Sequence, residues 1–343
     1  MKIFITHNYK FIYGGEFKQW VDLNIIYPLK DKAELVISND ENMTKYELLN
    51  NKFDIIINTG YDPTFLTYIS NDRHVKFISI IYDINAERMQ SVFDDSSQLS
   101  TIIANKAKLI FLSSAIITPS DYVKECLDAL YMPYHEYIKM NKIYALKYDY
   151  SWLYNDDRKY KRLINERYIV IPIMYNSLDS GFLMPEFIKN LDPYYPIKII
   201  MTTYKDVSKS ITSEILENNL NDRVKIFTDL TIDEKYSLYK FAEVSFFLSS
   251  FNMHLDDIFI SMDAKCLTFL DDKNKFYHKV FNDDIGYFEA SDNIDIIIND
   301  IISISDEDKT DVIDMQTKAL DNLINYKNND AKSIISILNT INE

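Results

Sequence analysis

Residues 75–83 read VKFISIIYD, an almost unbroken apolar run that ends on a carboxylate. A strand with one wet face alternates apolar and polar residues. A run that is apolar throughout is buried on both faces, as in a parallel sheet covered by helices. Upstream lie three more such runs, MKIFIT (1–6), AELVIS (33–38) and KFDIIIN (52–58), and downstream KAKLIFLSSAIITPS (106–120) holds one or two strands. Helical spacing fills the gaps, in Phe17–Leu29 with Pro28 at its end, in MTKYELLNN (43–51) and in DYVKECLDALY (121–131). Strands interleaved with helices make βαβ units.

The same theme returns in YIVIPIM (168–174), YPIKIIMTT (195–203), RVKIFTDL (223–230), EVSFFLSS (243–250), CLTFLDD (266–272) and IGYFEA (285–290), followed by a helix at 293–304. The fold class is therefore α/β, with two Rossmann-like, doubly wound domains facing a cleft. The chain of 343 residues exceeds the roughly 250–300 that one core supports. The polar, aromatic stretch 149–166 is the connector, giving a first domain over 1–150 and a second over 151–322. Residues 323–343 form a closing helix that returns to the first domain. Its stripe of Ile334, Ile335, Leu338 and Ile341 needs a partner surface.

Lys+Arg 37 against Asp+Glu 52 leaves a net charge of −15. A field of that sign repels phosphate backbones and anionic bilayers, and it ranks DNA below a glycan or small molecule as partner. The two cysteines, Cys126 and Cys266, are far apart, which fits a reducing compartment and leaves no CxxC site. No window is long and apolar enough to span a membrane, and the first residues lack the apolar stretch of a secretion signal. The expectation is a cytoplasmic protein, in the host cytoplasm if the source is viral. The five histidines are not spaced as metal ligands, so no metal is expected.

Ligands of open α/β sheets collect at the carboxyl ends of strands. After the first strand come His7 and the adjacent Gly14 and Gly15, two of only five glycines, placed before a helix where amides are free. They make either a plain turn or a ligand loop. Asp83, ending its strand, either caps the next helix or does chemistry with its carboxylate open to the cleft. Ser120 or Asp121 caps the helix at 121–131, and Ser120 doubles as a ligand candidate in this half. In the second half the strand-end candidates for ligand binding are Ser177, Thr203, Lys205, Asp229, Ser249, Ser250, Asp256 and Asp257. The two aspartates either cap a helix or bind sugar hydroxyls.

Three stretches carry a family resemblance: YGGEFKQWVDLNIIYPLKDKAELVIS (13–38), KLIFLSSAIITPSDYVKECL (108–127) and NNLNDRVKIFTDLTIDEKYSLYKFAEVSFFLSS (218–250). They resemble, in order, the opening glycine loop with its helix and second strand, the strand–Ser–helix segment, and the approach to the sugar-nucleotide loop of GT-B glycosyltransferases. The glutamate pair of the large retaining group falls near Met253 and Ser261, neither of them acidic. IIYDIN (80–85) resembles the strand with the catalytic Asp in the T-even phage DNA β-glucosyltransferase, and 261–288 resembles its helix, strand and acidic turn. The resemblance implies a glycosyltransferase of hexosyltransferase class using a UDP-sugar as co-substrate, with no tightly bound cofactor and Asp83 as base. The diphosphate-binding arginines have no match in IMYNSLDSG, which moves that role to Lys205 or Lys265. Two alternatives stand beside this reading: a viral-type enzyme acting on hydroxymethylated DNA bases, and a non-catalytic GT-B-like partner subunit.

Overall fold

A computed structural model describes residues 1–6, 20–38, 40–60, 75–84, 97–131, 143–146, 158–173, 187–203, 208–248, 255–281, 285–288, 294–330 and 333–342. The chain divides into two compact units: unit 1 comprises Met1–Asp149 with Lys327–Glu343, and unit 2 Tyr150–Tyr326.

Unit 1 contains β1 (Lys2–Thr6), α1, β2 (Glu34–Ser38), α2 (Glu41–Asn50), β3 (Ile55–Asn58), β4 (Lys76–Ile80), α3 (Ser97–Leu112), β5 (Ala115–Thr118), α4 (Asp121–Tyr131) and β6 (Ile143–Ala145). Its described strands form one parallel sheet in the order β2-β1-β3-β4-β5-β6. Every residue of β3 and β5 is buried, as their unbroken apolar sequences require. Helix α1 (residues 20–29) carries a π-helical turn, Asp22–Ile26, and continues through Tyr27–Leu29. In a regular helix the Pro28 ring collides with the carbonyl four residues back; the wider turn just before it makes room.

Of the one or two strands expected in the stretch 106–120, one is present. Only Ala115–Thr118 is strand, and Lys106–Leu112 is the last part of α3. A short apolar run fits a buried strand or a buried helix face equally well. Lys106, Leu109 and Ile110 recur at helical spacing and are buried, whereas Phe111 and Leu112 point outward.

Unit 2 contains β7 (Tyr168–Pro172), β8 (Lys198–Thr203), α5 (Ser208–Glu217), β9 (Val224–Thr228), α6 (Ile232–Lys240), β10 (Ser245–Phe247), α7 (Asp256–Asp263), β11 (Thr268–Asp271), α8 (Lys275–Phe281), β12 (Gly286–Phe288), α9 (Ile294–Ser303) and α10 (Asp306–Asp330). Its described strands form a second parallel sheet, β12-β11-β10-β7-β8-β9. One apolar cluster joins β7, β8 and β10 to helices α5 and α9 through Ile169, Ile171, Met201, Ile211, Phe246 and Ile298. The chain passes back to unit 1 near the end of α10. The last helix, α11 (Ile334–Asn342), then packs on α1 and buries Ile334, Ile337 and Leu338.

Candidate functional site

Strand order changes direction in unit 1 between β1 and β3, and in unit 2 between β7 and β10. The crevice outside the carboxyl ends of such a pair is where doubly wound sheets take ligands. In unit 1 that edge is a closed polar network. Thr6 donates to Asn58 Oδ1 at 2.7 Å, the Asn58 amide donates to the Gly60 carbonyl at 2.6 Å, and Thr59 donates to the Thr6 carbonyl. It fixes the chain leaving β3 against the end of β1.

One strand over, Ile81–Ile84 continue from β4 and are fully buried. The Ile81 amide still bonds the Ile117 carbonyl at 2.9 Å, and Tyr82 packs edge-on against Trp20 with ring centroids 5.1 Å apart. Asp83 follows with 1% of its surface exposed, so its carboxylate lies in the interior, against the expectation of an open one. The physical reason is Lys106 on α3, itself 0% exposed. Its ammonium donates to the Asp83 main-chain carbonyl at 2.9 Å and stands 3.9 Å from Oδ1. A buried carboxylate requires such a countercharge.

In unit 2, Thr203 ends β8, and its hydroxyl is buried with no hydrogen-bond partner. Its carbonyl accepts from the Asp229 amide at 3.1 Å. Asp229 holds a left-handed backbone, φ 53°, and has an exposed side chain. Aspartate adopts this left-handed backbone more readily than most residues, so the turn after β9 forms without glycine. Beyond β10, Asp256 and Asp257 form the first turn of α7, and both are buried. Asp257 makes a direct 2.6 Å ion pair with the buried Lys235, in the first turns of α6. Both helices begin at the carboxyl edge of the sheet, so this pair lies there too.

Lys265 is excluded from that edge. It sits just after α7 and before β11, at the amino edge of the sheet, with φ 60°. Ser261, near one of the expected glutamate positions, is fully buried in a hydroxyl cluster with Ser245 at 2.7 Å and Thr268 at 2.9 Å. Ser120 caps α4, its hydroxyl accepting from the Val123 amide at 3.3 Å. Among the sequence candidates, His7, Gly14, Gly15, Ser177, Lys205, Ser249 and Ser250 lie outside the described residues, as does Met253. Lys106, Lys235 and the Asn58–Gly60 buckle were not singled out from sequence. The available signal was a lysine standing inside an apolar helical stripe, a position lysine rarely fills unless paired.

Among the described residues no group of histidine, cysteine and acidic side chains can hold a metal ion. No described helix is long and apolar enough to cross a membrane.

No protein-family profile matches the sequence, and no curated protein matches it. Solved structures match along its whole length. Anabaena Alr3699/HepE in complex with UDP-glucose superposes with a TM-score of 0.69 at 12% identity, over 100% of this chain and 98% of that one. Sucrose-phosphate synthase from Thermosynechococcus elongatus gives 0.67 at 10% identity, over 99% and 97%. WaaG, a glycosyltransferase involved in lipopolysaccharide biosynthesis, gives 0.62 at 9% identity, over 100% and 99%. With two parallel six-stranded α/β units and these neighbours, the fold is GT-B.

Proposed function

We propose that this protein is a nucleotide-sugar glycosyltransferase that moves a hexose from a UDP-sugar to an acceptor hydroxyl. Unit 2 supplies most of the donor contacts, and unit 1 the acceptor side. The observation that carries the reading is the likeness, over nearly all of both chains, to a protein crystallised with UDP-glucose. The residues support it. The unpartnered Thr203 hydroxyl gains a partner when a nucleotide oxygen or nitrogen reaches it. Asp256, in the first turn of α7 next to the switch point, suits the ribose hydroxyls. Asp257 is engaged by Lys235 and contributes through that pair. Asp229, Gly14, Gly15, Ser177, Lys205, Ser249 and Ser250 complete the donor side in this proposal, and His7 the acceptor side.

In the reaction the acceptor oxygen bonds to the anomeric carbon and its proton passes to the Asp83 carboxylate, which acceptor binding must first uncover because Asp83 is buried. The bond from that carbon to the diphosphate breaks, and UDP leaves with the electron pair. The UDP-sugar is a co-substrate, and the chemistry uses no bound cofactor. The net charge of −15 favours a glycan or small acceptor over a hydroxymethylated DNA base.

Calorimetry with UDP and UDP-glucose, together with UDP release from UDP-glucose, tests the proposal. UDP binding in the micromolar range with turnover is expected, and no UDP binding overturns it. A second reading, a non-catalytic GT-B-like subunit, draws on the buried hydroxyl Ser261 near one of the expected glutamate positions. UDP binding without any turnover selects it.

A further inference from the structure

Among the described residues each unit carries one buried lysine–aspartate pair at the carboxyl edge of its sheet, and the two pairs differ in geometry. In unit 2 the ammonium of Lys235 sits directly on Asp257 at 2.6 Å, a charge-assisted bond that locks the carboxylate. In unit 1 the short bond of Lys106, 2.9 Å, goes to the main-chain carbonyl of Asp83, and the carboxylate oxygen is 3.9 Å away. Lys106 therefore fixes the backbone of residue 83 and balances its charge without taking the carboxylate as a direct ligand. The neighbouring residues are held independently, Ile81 by β5 and Tyr82 by Trp20.

We infer that Lys106 is a positioning residue for proton transfer to Asp83. The inference rests on the glycosyltransferase reading and on Asp83 as its base. Lys106 exchanges no proton in the step. It fixes the backbone that carries the carboxylate, and a misplacement of about 1 Å is enough to cost ~10²-fold in rate.

The experiment compares the wild type with Lys106→Met, Lys106→Arg, Asp83→Asn and the double variant Lys106→Met/Asp83→Asn. UDP release from UDP-glucose, UDP affinity by calorimetry and melting temperature are read on each protein. The expected result is a kcat lowered by ~10²-fold in Lys106→Met with the KM for UDP-glucose and the UDP affinity unchanged, and partial recovery in Lys106→Arg. In the double variant the loss equals that of Asp83→Asn alone, because a positioning residue has nothing left to position. Wild-type kcat in Lys106→Met, or losses that multiply in the double variant, overturns this inference alone. Full turnover by Asp83→Asn removes Asp83 as base and the inference with it. A wild-type protein that binds no UDP overturns the glycosyltransferase reading itself. Should Lys106→Met fail to fold, the double variant, which removes both charges of the pair, and Lys106→Arg decide between the same outcomes.

Discussion

Asp83 illustrates how burial changes what a substitution tests. On the surface an aspartate-to-asparagine change is nearly silent structurally. Here it leaves the fully buried Lys106 facing a neutral amide. Breaking one side of a buried pair typically costs about 3–5 kcal/mol, so Asp83→Asn is expected to lower the melting temperature as well as turnover, the latter by ~10²–10⁴-fold. The double variant with Lys106→Met restores stability but not turnover, which calorimetric melting and UDP release measured together distinguish. Arg223 and Asp295 behave alike without any chemistry at stake. The guanidinium is buried at the amino end of β9, paired with both carboxylate oxygens of Asp295 and bonded to the Asp192 carbonyl. Arg223→Met alone is expected to cost about 3–5 kcal/mol, read from denaturant midpoints, with UDP affinity unchanged if the protein remains folded. The thiols separate in the same way: burial pushes the Cys266 thiol up to about 12, while Cys126 is half-buried. A thiol reagent at pH 8 should label Cys126 in the native protein and reach Cys266 only on unfolding. Asp83 was legible in sequence because a carboxylate ending an apolar strand stands out. Lys106 and Lys235 were not, because a lone lysine in a helical stripe reads as a solvated residue until the facing aspartate is known.

The helices and strands of both units were largely legible, since continuous apolar runs and 3.6-residue stripes are separate signals when the runs are long. They merge in a stretch such as KAKLIFL, where helix α3 overrode the strand reading by burying one face and leaving Phe111 and Leu112 outside. Strand β6 and the long α10 went unread, the first for its three residues and the second for its mostly polar composition. Besides its buried Ala319 and Leu320, α10 is tied to the sheet by one amide: Gln316 accepts from the Thr268 main-chain amide at 3.2 Å and donates to its carbonyl at 2.8 Å, at the start of β11. Gln316→Leu leaves both main-chain groups unpaired and should cost about 1–3 kcal/mol in chemical denaturation. At Gly286 in β12, a Cβ would meet the Phe269 ring at 2.5 Å, so Gly286→Ala should destabilise by about 1–3 kcal/mol through the forced shift of that ring. Asp263, at the end of α7, accepts from the Tyr236 hydroxyl at 2.6 Å, and burial holds its carboxyl above the usual range against the pull of Tyr236 and Arg158. A carboxyl raised in the folded state binds more protons there than when unfolded, so its contribution is greatest at low pH and is lost as pH rises through the raised value. The stability of the wild type relative to Asp263→Asn should therefore fall as pH rises through and above the ordinary carboxylate range, as measured by melting temperature.

At the scale of the whole molecule, unit 1 is built from both ends of the chain. Deleting residues 333–343 removes α11 and with it the buried Ile334, Ile337 and Leu338. At about 1.5–3 kcal/mol for each such side chain, an upper estimate, that loss rivals the entire stability of a typical domain. The expected scan of the truncated protein shows the transition of unit 1 lost or moved far down, with that of unit 2 in place. The doubly wound pairing of two domains was legible from the repeated theme of strands and helices. The loops that leave most strand ends are short on periodic signal, which is why residues such as Ser177 and Lys205 were named only by position along the chain. The discontinuity of unit 1 also bears on how the protein is made. A ribosome delivers its amino-terminal 149 residues first and must then synthesise all of unit 2 before the closing helix emerges. At about 5–20 residues per second that wait is on the order of ten seconds or more. Through it the nascent chain displays the patch on α1 meant for α11, a natural foothold for a trigger-type chaperone, and a stop codon a dozen residues early would produce a protein with an intact second half and a first half that never finishes folding.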